Sequence, residues 1–79
     1  SGIEIYPMPC DETSRIYFNK ELEGEKRLKV MDVTGRELKN IKIDTEPYPI
    51  KALELGSGIY LIEFIYQNKK TETRKIYIQ

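Results

Sequence analysis

Apolar and polar residues alternate along most of this chain, and a period of two marks a strand with one covered face. Ile3 and Ile5 flank Glu4, and the run stops at Tyr6-Pro7-Met8-Pro9, because proline lacks a donor and fixes φ. Residues 10–13 read as a turn. Residues 15–19 form a second strand, with Ile16 and Phe18 on one face and Tyr17 on the other. After a polar turn over 21–25, residues 27–33 form a third strand in which Leu28 and Val30 share one face and Met31 and Val33 the opposite one. Thr34-Gly35 turns the chain, since Gly35 takes a positive φ at little cost, and residues 37–43 return with Ile41 and Ile43 on one face. Residues 44–49 read as a linker broken by Pro47 and Pro49, residues 50–53 as a short strand, and 54–58 as a loop. Residues 59–66 are apolar on both faces, with Glu63 the one charge, which predicts a central strand. A turn over 67–70 leads to a last strand, 71–78, with Ile76 and Ile78 inward.

About seven short strands with turns at near-regular spacing, and no stretch of helical period, predict an all-β, two-sheet sandwich. The chain has 79 residues, which predicts one domain with a thin core. Thirteen Lys+Arg balance thirteen Asp+Glu, so the basic excess of a nucleic-acid-binding domain is missing. The charge is skewed only near the end, where Lys69, Lys70, Arg74 and Lys75 face a single acid, Glu72. One cysteine, Cys10, and no histidine exclude an internal disulfide and argue against a zinc site of ordinary ligands. No apolar run approaches the roughly 20 residues that span a bilayer, so direct membrane insertion is not expected. No signal peptide opens the sequence, and Ser1-Gly2 reads as a scar of cloning ahead of a domain over 3–79.

Candidate chemistry is sparse. Ser14, Ser57 and Cys10 have no histidine to activate them and read as turn or filler residues. The acids sit in no catalytic motif. Asp32 reads as an acceptor for the Thr34-Gly35 turn, in preference to a calcium ligand with Asp44. Gly56-Ser57-Gly58 is too short to cradle phosphate and has no helix after it. Tyr60 and Tyr66 share the face of Phe64 and read as core, whereas Tyr6, Tyr17, Tyr48 and Tyr77 leave room for a sugar platform. Pro7-Met8-Pro9 reads as a rigid lead into the fold, before a polyproline ligand. Lysines on the last strand discourage edge-to-edge pairing, or mark an edge that a partner recognises by adding a strand.

Four motifs in order resemble one family. Ile5-Tyr6-Pro7-Met8-Pro9 resembles its opening YPNP, with Met8 where the family usually has Asn. The run from Leu28 through Asp32, Val33, Thr34 and Gly35 to Arg36 is similar to its D-x-x-G-[KR] hairpin. Leu53, Leu55 and Gly58-Ile59-Tyr60 look like its approach to the central strand, and Arg74-Lys75-Ile76-Tyr77-Ile78 like its basic, then alternating terminus. The family is the type A C-terminal sorting domain of the type IX secretion system. The resemblance covers 3–79 and implies an immunoglobulin-like sandwich at the end of a larger exported cargo, with no catalysis and no cofactor. It implies transit through the periplasm and delivery to the outer-membrane surface or the medium. The partners it implies are the translocon and a sortase-like peptidase that cuts upstream of Ile3. Oligomeric state stays open. Tyr6, Pro7, Pro9, Asp32 and Gly35 are then structural, and recognition is assigned to the terminal hairpin: Gly58, Tyr60, Lys69, Lys70, Arg74, Lys75, Ile76 and Ile78. Loss of 74–79 is expected to hold the cargo in the periplasm. The competing reading is a carbohydrate-binding or adhesive sandwich module of a secreted protein.

Overall fold

Alternating burial shapes every long strand of the computed structural model, which describes residues 2–67 and 69–79. Strands β1 (Ile3–Tyr6), β2 (Arg15–Phe18) and β5 (Tyr48–Pro49) form one sheet in the order β1-β2-β5. Strands β3 (Lys26–Met31), β4 (Glu37–Lys42), β6 (Gly58–Tyr66) and β7 (Lys70–Ile78) form the other, in the order β4-β3-β6-β7. All pairings within the sheets are antiparallel. The expected all-β sandwich is thus present, with β6 central as its two apolar faces predicted. Ser1 of the expected scar and Asn68 of the expected 67–70 turn lie outside the described residues.

The core lies between the sheets. Ile16, Leu28, Val30, Ile62 and Ile76 are fully enclosed, and Phe64 is 1% exposed. Phe64 meets Phe18 edge to face, with ring centroids 5.8 Å apart and planes at 81°, the arrangement favoured by opposed ring quadrupoles.

The stretch between β4 and β6 departs from expectation. Residues 50–53, expected as a strand, form a 3₁₀ helix (Ile50–Leu53), and the strand falls instead on Tyr48–Pro49, inside the expected linker. Ile50 and Leu53 are both buried, at 3% and 1% exposed. A spacing of three brings such residues to one side of a 3₁₀ turn, whereas a strand would bury Ile50 with Ala52. Glu54 closes the turn in the left-handed region (φ 53°) and donates its N–H to the Lys51 carbonyl. Pro49 is tolerated because β5 is an edge strand, where a missing donor leaves no gap in the ladder.

Lys26 is a charge the apolar pattern did not single out. Counting back from Leu28 by two places it inward, and it is 6% exposed. Its ammonium bonds Glu46 at 2.9 Å, reaches the Gly24 carbonyl at 3.4 Å and lies 5.4 Å from the Phe18 ring centroid. The ion pair keeps a charge that enters the sandwich from standing alone.

Candidate functional site: the terminal hairpin and its clasp

Two Asp-x-Thr turns organise the loops at the far end of the sandwich. At the β3–β4 hairpin, Asp32 Oδ1 accepts from the Thr34 N–H (2.9 Å), the Thr34 hydroxyl (2.6 Å) and the Arg36 N–H (3.1 Å). Gly35 (φ 91°) donates to the Asp32 carbonyl. This is the acceptor role expected of Asp32. Asp11 repeats it, accepting from the Thr13 N–H (2.8 Å) and hydroxyl (2.6 Å), a likeness present in the sequence as D-x-T at 11–13 and 32–34. The Thr hydroxyl first, with backbone donors, holds each carboxyl below its ordinary value of 3.8.

These shifts set a pH dependence. Each folded turn favours the charged carboxylate, so its stabilisation is present above the ordinary value and is lost as pH falls through the lowered one. The wild-type melting temperature should fall below about pH 4. Asp32→Asn keeps the Oδ1 acceptor without the titration, so its acid limb should be shallower in a series of melts from neutral to acid pH. An equally steep limb would remove Asp32 from the account.

Ser14 locks the opening turn. It is 1% exposed, donates its hydroxyl to the Pro7 carbonyl (2.8 Å) and accepts the Asp11 N–H (2.9 Å). The Ser14 carbonyl also accepts the Ile50 N–H at 3.0 Å. Tyr6 and Met8 are exposed at 65% and 41%, so the turn is held by Ser14 and Asp11 and not by these side chains. Burial raises the Cys10 thiol above its ordinary value, which suits packing and not nucleophilic attack.

Beyond this turn the chain crosses from one sheet to the other. Cys10 makes a parallel bridge with Ile78: its N–H donates to the Tyr77 carbonyl (2.6 Å), and the Gln79 N–H donates to the Cys10 carbonyl (3.0 Å). The end of the chain is therefore clasped to its beginning.

The residues assigned to recognition divide by position. Lys69, Lys70 and Lys75 are exposed on the β6–β7 hairpin, as is Gly58 at the start of β6. Ile76 is fully enclosed and belongs to the core, whereas Ile78 is half-buried and packs against it. Arg74 is half-buried; its guanidinium pairs with Glu72 and donates to the Ile3 carbonyl at 3.2 Å, joining the two sheets at their open side. Glu72 also accepts the Tyr66 hydroxyl at 3.1 Å. Tyr60 is half-buried and donates its hydroxyl to the Gly56 carbonyl (2.9 Å), which closes the loop before β6 and gives the G-I-Y motif a structural role. Among the tyrosines considered for a sugar platform, Tyr48 is 8% exposed and belongs to the core.

The domain is a seven-stranded sandwich whose motif residues hold turns and whose last strand completes the core. A family model described as "Secretion system C-terminal sorting domain" matches residues 4–79. The chain belongs to this family. Its function is that of a C-terminal sorting signal for the type IX secretion system, which delivers proteins to the cell surface or beyond. The family is one of sorting signals and not of enzymes, and the match supports sorting over the sugar-binding module. No curated protein matches the chain.

Proposed function

We propose that this sorting domain is the end of a larger exported cargo, and that the translocon recognises its terminal hairpin through Lys69, Lys70 and Lys75. The observation that carries the reading is the exposure of these three lysines together on a chain of zero net charge, while Arg74 is tied into the sandwich. On this reading the cargo reaches the periplasm by its own export signal. The folded domain is then bound for passage across the outer membrane, and a sortase-like peptidase cuts upstream of Ile3. The domain itself performs no reaction.

The test is a fluorescent reporter carrying an export signal and ending in this domain, expressed with the translocon working and disabled. Export only in the working strain is the expected result; retention in the periplasm of both, with the fusion folded, overturns the sorting role for this chain. Reversing Lys69, Lys70 and Lys75 to Glu should leave the melting temperature within a few degrees, because the three side chains are exposed. The reversed fusion should stay in the periplasm. Normal export of it would remove the lysines from recognition.

A further inference from the structure

The direction of the Cys10 clasp shows which backbone groups of β7 face away from the fold. Cys10 takes the Tyr77 carbonyl and the Gln79 N–H, so these groups point to the outer edge. The register between β6 and β7 runs without a break from Ile78 to Lys70. Alternation along a strand therefore turns the N–H and C=O of Thr71, Thr73 and Lys75 to the same edge. Among the described residues no strand pairs there: β1 runs in the other sheet, and the chain crosses to β7 only at Cys10.

The other edges are short, partly occupied or interrupted. Arg74 occupies the Ile3 carbonyl on β1, β5 has two residues of which one is proline, and the pairing of β4 is broken by a bulge opposite Val30 and Met31. β7 pairs with β6 without a bulge, so its outer edge carries a regular row of donors and acceptors. Three exposed lysines, Lys69, Lys70 and Lys75, lie along or beside it. Those charges oppose pairing with a second copy and favour a negatively charged segment.

We propose that the partner binds by adding an extended, acidic strand to the β7 edge at Thr71, Thr73 and Lys75. This rests on the sorting reading and specifies how the hairpin is read. Main-chain bonds supply the fit, and carboxylates facing the lysines supply the choice of partner. Glu72 and Arg74, which point inward and pair with each other, keep the neighbouring seam closed while the strand is added.

Amide hydrogen exchange on the intact domain tests this, with the peptide Thr-Glu-Val-Glu-Val-Glu-Thr as probe and its Glu-to-Lys counterpart as control. Exchange at Thr71, Thr73 and Lys75 should slow about tenfold or more with the acidic peptide and remain unchanged with the basic one. Unchanged exchange with both, equal protection by both, or protection that grows with protein concentration alone would overturn the proposal, the last in favour of self-pairing. Thr73→Pro removes an edge-facing N–H without touching the ladder to β6 and should abolish the protection. In the reporter assay, a folded Thr73→Pro fusion exported like wild type overturns strand addition and leaves sorting intact. Failure of the wild-type fusion to leave the periplasm overturns the sorting reading itself.

Discussion

A chain ending at Thr73 is expected to lose its cooperative fold. The missing residues include Ile76, fully enclosed in the core, and Ile78, which is half-buried. Truncating one buried Ile to Ala typically costs about 2–5 kcal/mol. Removing the segment also takes away the Arg74 links to Glu72 and Ile3, both Cys10 clasp bonds, and the partners of Gly58, Ile59, Tyr60, Leu61 and Ile62 on β6. A domain of this size holds only about 4–12 kcal/mol in total. Near-ultraviolet circular dichroism and a thermal melt should show no fixed tertiary signal and no cooperative transition. A sharp melt from the truncated chain would show that β7 is dispensable to the fold. The result bears on secretion assays. Retention of such a truncation reports unfolding as readily as lost recognition, whereas the lysine reversals and Thr73→Pro act on the surface.

Phe64→Ala is expected to be the most damaging single side-chain truncation. Phe64 is the largest side chain with under 2% exposure and lies on the central strand β6, opposite Leu28 of β3. Its loss should cost about 3–5 kcal/mol through lost burial and the cavity left behind. That figure includes the contact with Phe18, since such aromatic pairs contribute roughly 0.5–1.5 kcal/mol beyond area. At about 4–8 °C per kcal/mol for a domain this small, the melting temperature should fall by about 12 °C or more. Phe64→Leu should fall less, because it refills most of the volume. A Phe64→Ala melt within a few degrees of wild type would place the core elsewhere.

Most strands were legible because each buries one face, and a period of two survives in the sequence wherever that holds; β6 was legible because both of its faces are apolar. Leu28 and Val30, Ile62 and Phe64, and the Asp32 turn all stand where the pattern put them. The 50–53 stretch was not legible, since Ile-Lys-Ala-Leu is too short for its spacing to separate a strand from a 3₁₀ turn. Burial of Leu53 and pairing of Tyr48 with Ile16 decided it. The basic tail was visible as charge, but not its division. Arg74 and Lys75 are adjacent in sequence, yet one is drawn into the seam and the other left in solvent, because successive residues of a strand point to opposite faces.

Local order alone determined much of this protein: the all-β architecture, the central place of β6, the turn at Asp32 and Gly35, and the motifs of a secretion sorting domain. Each depends on neighbours within a few residues, through period, turn chemistry or proline. Tertiary structure alone decided that the Ser14 carbonyl takes the Ile50 N–H, that Lys26 reaches Glu46, and that Cys10 clasps β7 and leaves part of its edge open. The clasp joins residues almost the length of the chain apart. Such contacts leave no period in the sequence, because they are selected by packing between sheets and not by the spacing of residues along a strand.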